Sequence, residues 1–177
     1  MALGATFSAM EVIPLLLLTF EAWRFMQLGS ASGVHPALAT PSSAFPHKWA
    51  VMFLIAVGFW NFLGAGVFGF LINLPIVSYY EIGTQWTANH GHGAMMGVYG
   101  MLAIGFFMFV ARHFIPSDRA CQRAMATSFW GLNIGLLLML LLNLIPLGGV
   151  QIYEAFAHGY WRARDATFFQ RPFVRVL

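Results

Sequence analysis

The sequence predicts an all-α protein, a polytopic transmembrane helix bundle of about four spans. Two observations carry that prediction. Of 177 residues, 59% are hydrophobic and only 8% are charged, whereas soluble domains carry about 25% charged residues. A soluble domain needs a wetted surface, and this chain has too few charges to make one. A bilayer accepts apolar side chains on the outside of the bundle as well as within it. The second observation is length, because four apolar stretches reach the roughly 20 residues that a helix needs to cross the hydrocarbon core. A barrel would show short alternating segments, and lipid offers no partner to open backbone, which leaves helix as the spanning conformation.

The chain, 1–177, reads as one transmembrane domain. The first span covers about residues 2–26, the second 50–74, the third 87–110 and the fourth 124–145. The N-terminal residues lack a basic start, and the first apolar run contains Glu11. It therefore reads as a retained span and not as a cleaved signal peptide. Residues Gly29–Pro46 (GSASGVHPALATPSSAFP) are rich in Gly, Ser and Pro and predict a surface loop. Pro75 follows the second span, Pro116 separates the third from the fourth, and Pro146 with Gly148 and Gly149 closes the fourth. Residues 146–177 predict an interfacial tail, since Tyr153, Tyr160, Trp161, Phe168 and Phe169 mix there with arginines. Its last residues, Phe173–Leu177, turn apolar again, as the opening of a further span would.

Loop cations set the expected orientation. Arg24 and Lys48 flank the first loop, and Arg112, Arg119 and Arg123 surround the third, which places both on the cytoplasmic side. The second connection, 75–86, has no cation and one acid, Glu81, and is placed outside. The tail then also lies outside, against the count of its arginines Arg162, Arg164, Arg171 and Arg175. The net charge of +3 resides at span ends, where lipid headgroups explain it and no nucleic-acid partner is implied. The single cysteine, Cys121, excludes a disulfide framework and any CxxC metal or redox site.

Ionisable groups inside spans are costly and need a reason. Of the ionisable groups at or within the predicted spans, Glu11, His90 and His92 are the candidates for chemistry. The two histidines sit in Asn89-His90-Gly91-His92-Gly93. Each helical residue turns about 100°, so imidazoles two apart point in nearly opposite directions. They cannot share one metal easily, but each can hold a different one. Flat haems on both faces of the helix fit that geometry, with neutral imidazole as axial ligand. The other reading is a pair of packing residues satisfied by hydrogen bonds. Gly91, Gly93, Gly97 and Gly100 allow close approach by another helix or a macrocycle. Glu11 reads either as a proton relay or acid near a reaction site, or as an interhelical hydrogen-bond partner. Gly64-Ala65-Gly66-Val67-Phe68-Gly69 matches the dinucleotide pattern GxGxxG, but it lies in an apolar span with no strand before it and reads as helix packing. His35, His47, His113 and His158 fall in loops or the tail and read as solvated residues.

The stretch GAGVFGFLINLPIVSYYEIGTQWTANHGHGAMMGVYGM (Gly64–Met101) closely resembles the catalytic subunit of bacterial nitric oxide reductases, within the haem–copper oxidase superfamily. FSAMEVIPL (Phe7–Leu15) and YWRARD (Tyr160–Asp165) resemble other parts of that subunit, and the match looks nearest the quinol-dependent, single-chain form. The resemblance implies that the chain is a C-terminal fragment of the larger haem–copper oxidase catalytic subunit fold, in a bacterial inner membrane. It implies that His90 ligates the iron of high-spin haem b3 and His92 the iron of low-spin haem b. It implies that Glu11 is the glutamate near a non-haem iron, whose own ligands lie outside this sequence. Tyr79, Tyr80 and Thr84 would lie near the outer ends of the haems. The implied reaction joins two nitric oxide molecules to nitrous oxide and water. Electrons would come from quinol or a cytochrome c, and the chain alone is expected to be inactive without the rest of the subunit. An oxygen-reducing oxidase subunit is the neighbouring reading. A non-catalytic membrane subunit or transporter segment is the reading from another class.

Overall fold

A computed structural model describes residues 2–31, 47–115 and 118–176. Among these residues there is no strand. The elements are α1 (Ala2–Ala31), α2 (Lys48–Asn73), α3 (Pro75–Glu81), α4 (Gln85–Ala111) and α5 (Arg119–His158). A short 3₁₀ turn at Arg162–Arg164 leads to α6 (Ala166–Phe169) and α7 (Pro172–Val176). Helices α1, α2, α4 and α5 are long and apolar enough to cross a membrane. The protein is thus an all-helical, four-span membrane bundle. The predicted loop from Gly29 begins inside α1, which reaches Ala31; the rest of that loop, with His35, and Pro116 lie outside the described residues.

Local chemistry sets the boundaries between α2 and α4. Leu74 turns extended, and Pro75 opens α3 at its first turn, where a missing N–H costs nothing. Gly83 adopts φ +77°, a left-handed conformation that favours glycine. Thr84 then caps α4, its hydroxyl accepting from the Trp86 N–H. Asp118 caps α5 in the same manner by accepting from the Cys121 N–H at 2.7 Å.

The helix of the fourth span does not end at Pro146. Helix α5 continues through it to His158, over 40 residues. Just before the proline, Leu140–Leu144 widen into a π-helical stretch. A proline in a helix lacks its N–H and crowds the carbonyl four residues back, and a wider turn accommodates both. At about 1.5 Å per residue α5 is roughly 60 Å long, about twice the hydrocarbon thickness.

Helix α2 lies between α1 and α4, and α5 packs across α2 and α4. The core gathers Phe53, Trp60, Phe68, Met101, Phe129, Leu136, Leu140 and Leu144. Polar ties lock the α2–α5 pairing: the Trp60 indole N–H donates to Asn133 Oδ1 at 2.8 Å, and the Trp49 indole N–H to Gln122 Oε1 at 2.8 Å. In the tail, Arg171 and Arg162 reach Glu154 at 2.6 and 3.6 Å. Arg164 turns back onto main-chain carbonyls. Three of the four tail arginines are thus engaged by the protein itself, which is why their number is a poor guide to orientation.

Candidate functional site

The first turns of α4 present both histidines. His90 faces α2: its Nδ1 is 2.9 Å from the Gly64 carbonyl oxygen. A carbonyl can only accept, so Nδ1 carries a proton, and in the neutral ring Nε2 keeps its lone pair. His92 lies on the exposed side of α4, with Nδ1 2.9 Å from the Ala88 carbonyl of its own helix. The same logic leaves its Nε2 free. A ring whose other nitrogen donates to a carbonyl is held in one tautomer and orientation, as metal-ligating histidines usually are. The pair therefore diverges as the spacing predicts, one imidazole toward the α1–α2 side and one away from it.

Glycines explain how the helices come close enough. A Cβ on Gly64 would sit 2.6 Å from the Gly93 Cα, so α2 and α4 meet backbone to backbone. Both helices are π-helical there, over Asn61–Phe68 and Gly93–Gly100. Gly97 makes room for the Trp60 side chain, and Gly66 for Val12 of α1. A Cβ on Gly69 would lie 3.1 Å from His90 Cε1 and 3.6 Å from Ser8 Oγ. The GxGxxG glycines thus serve helix contacts and the His90 ring. Gly91 has open space beside it, while Gly100 faces Met96 of its own helix.

The contact at Gly69 brings the Phe7–Leu15 segment beside His90. Glu11 itself lies on the exposed side of α1 and is not brought onto either imidazole. Tyr79 is exposed, Tyr80 is half-buried, and Thr84 is buried as the cap of α4. Among the other histidines, His47 is half-buried and stacks on Phe109 with centroids 4.6 Å apart, so it is not simply solvated. His113 is exposed, and His158 pairs with Glu154 at 3.5 Å.

Sequence reasoning passed over Glu81 and the groups around it. Its side chain is 1% exposed. The Thr87 hydroxyl lies 3.3 Å from each carboxylate oxygen. Burial pushes this carboxyl above the usual glutamate range, against smaller opposing pulls from Thr87, His90 and Arg164. Arg164 stacks on the Tyr160 ring and donates to the carbonyls of Tyr160, Tyr80 and Ile82. Asn89, 0% exposed, has neither amide atom hydrogen-bonded. The signal available in the sequence was a single acid within a connection free of lysine and arginine.

Among the described residues no group of three or more His, Cys, Asp or Glu is assembled to hold a metal ion. A haem iron asks less of the protein, a single imidazole nitrogen on each side of the ring plane at most. Two fixed imidazoles with free Nε2 atoms on opposite faces of one helix fit that requirement.

Comparison with known proteins gives the chain's family. The family model described as Cytochrome C and Quinol oxidase polypeptide I matches residues 1–174. A nitric oxide reductase subunit of Stutzerimonas stutzeri is 31% identical over 155 residues, 85% of this chain. That match takes in 30% of the relative's own length, so the chain spans less than a third of it.

Proposed function

Because the chain belongs to the cytochrome c and quinol oxidase polypeptide I family, we propose that it forms the haem-binding part of a respiratory nitric oxide reductase. The observation that carries this reading is the pair of pinned imidazoles, His90 toward α2 and His92 away from it. The relative from Stutzerimonas stutzeri supplies the choice of nitric oxide as substrate.

In this reading His90 holds the iron of a high-spin haem b3 and His92 that of a low-spin haem b. Bound haem would supply electron transfer and a site for nitric oxide, and the ligands of the non-haem iron would come from the rest of the subunit. The protein's own part is orientation. The Gly64 carbonyl fixes the His90 ring across the helix contact, and the Ala88 carbonyl fixes the His92 ring within α4. Glu11, one turn after Ser8 on α1, is proposed as the acid that supplies protons to the reaction. Two nitric oxide molecules, two electrons and two protons give nitrous oxide and water. Quinol or a cytochrome c is the proposed electron donor, the remainder of the catalytic subunit the partner, and the bacterial inner membrane the location.

A reduced-minus-oxidised visible spectrum of the protein in its native membrane tests the assignment. Bands of b-type haem are expected, with His90→Ala and His92→Ala each removing a different one. Absence of haem would return the chain to the class of non-catalytic membrane subunits. The matching family also covers oxygen-reducing oxidases, so uptake of nitric oxide and of oxygen should be measured side by side. Oxygen uptake without nitric oxide uptake would reverse the choice of substrate.

A further inference from the structure

Glu81 ends α3 in the connection between the second and third spans, 1% exposed. The Thr87 hydroxyl, 3.3 Å from both carboxylate oxygens, is also 3.0 Å from the Glu81 carbonyl. One hydroxyl proton faces three acceptors. An ionised carboxylate can accept about four hydrogen bonds, and burying it with one or none is expensive. A protonated carboxyl needs fewer partners and can donate to Thr87 Oγ1. No lysine, arginine or histidine among the described residues lies within ion-pair distance of it. Arg164, the cation that bears on it, is occupied by the carbonyls of Tyr160, Tyr80 and Ile82.

Two further observations give that carboxyl a use. The first is an opening beside α3. An open groove of about 670 Å³, lined by Pro75, Ser78, Tyr79, Ile82, Tyr160 and Trp161, reaches Ser78, one turn before Glu81 on α3. The second is proximity: Thr87, whose hydroxyl lies 3.3 Å from both carboxylate oxygens, stands one turn before His90 on α4. The charged or titratable groups acting on Glu81 are His90 from α4 and Arg164 from the tail. No hydrogen bond joins Glu81 to His90, so charge at the His90 side is felt at Glu81 through space.

We propose that Glu81 is a proton-holding residue that takes a proton from the groove side when the centre held by His90 gains an electron. The proposal rests on the haem assignment above. The balance is one electron from the respiratory donor onto the ferric centre and one proton from water onto a Glu81 carboxylate oxygen. An O–H bond forms, iron passes from ferric to ferrous, and the local net charge does not change. Added negative charge raises the proton affinity of a nearby carboxylate, which gives the coupling its sign. Thr87 acts as a positioning residue, since its hydroxyl is the group that favours the ionised form.

The test is a potentiometric titration of the b-type haem bands, at a series of pH values, on the protein in its native membrane. The midpoint potential of the His90 centre should fall as pH rises. Glu81→Gln, which keeps the shape and cannot ionise, should abolish that fall while leaving the bands in place. Thr87→Val should move it to higher pH. An infrared reduced-minus-oxidised difference spectrum should gain a carboxylic acid carbonyl band that Glu81→Gln lacks. Bands present with an unchanged pH slope in Glu81→Gln would overturn the proposal alone. Absence of b-type bands from the parent protein would overturn it together with the haem assignment.

Discussion

At the scale of single residues, His90 and His92 differ in what holds them. Both give Nδ1 to a carbonyl at 2.9 Å, but Gly64 belongs to α2 whereas Ala88 lies one turn back in α4 itself. His92 is therefore oriented by any intact α4. His90 is oriented only if α2 and α4 stay in backbone contact. Gly64→Val tests that asymmetry, because its Cβ would meet the Gly93 Cα at 2.6 Å and backbone cannot step aside as a side chain can. Overpacking of this kind costs about 1–3 kcal/mol. The expected result is a lower unfolding midpoint and loss or broadening of the His90-dependent haem band, with the His92-dependent band retained. Equal loss of both bands would show that the helix contact supports the site as a whole and not His90 in particular.

At the scale of elements, polar side chains choose which helix faces meet. Trp60 is 1% exposed in α2, and its indole N–H reaches Asn133 of α5 at 2.8 Å; Asn133 in turn donates to the Phe129 carbonyl at 2.7 Å. Asn133→Leu should cost about 1 kcal/mol in detergent unfolding assays, leaving a buried indole donor without an acceptor. Combining it with Trp60→Phe should cost less than the sum of the two single changes, because donor and acceptor leave together. Strict additivity would mean that the bond contributes nothing to the pairing. This layer was not legible in the sequence. Apolar length and proline positions place helices along the chain, but an all-apolar span has no single face to say which neighbour it meets. Pro146 shows the opposite failure. A local breaker reads as an end, yet a π-helical stretch before it lets α5 continue. The divergence of His90 from His92 was legible because it follows from the turn per residue alone. Glu81 was not, since its surroundings join Thr87 of α4 to a tail whose Arg164 returns to the carbonyls on either side of it.

At the scale of the whole molecule, α1 is the element least covered by the others. It touches α2 through Thr19, Val12 and Gly4, while Phe7, Met10, Ile13 and Leu17 remain exposed. In a membrane these faces meet lipid or other helices, and Glu11 lies among them. Its neighbour one turn back, Ser8, sits against Gly69, the glycine that also borders the His90 ring. A carboxylate placed there for packing and one placed there to deliver protons make different predictions. Glu11→Gln keeps the volume and hydrogen-bonding capacity but cannot carry a proton. If Glu11 acts as the acid, nitric oxide turnover should fall about 10²–10⁴-fold, with both haem bands and the unfolding midpoint unchanged. Glu11→Asp should recover part of the lost rate, since it restores the acid at a shorter reach. A merely structural Glu11 would give the converse pattern: stability or haem content would fall in Glu11→Asp, and Glu11→Gln would turn over as the parent does.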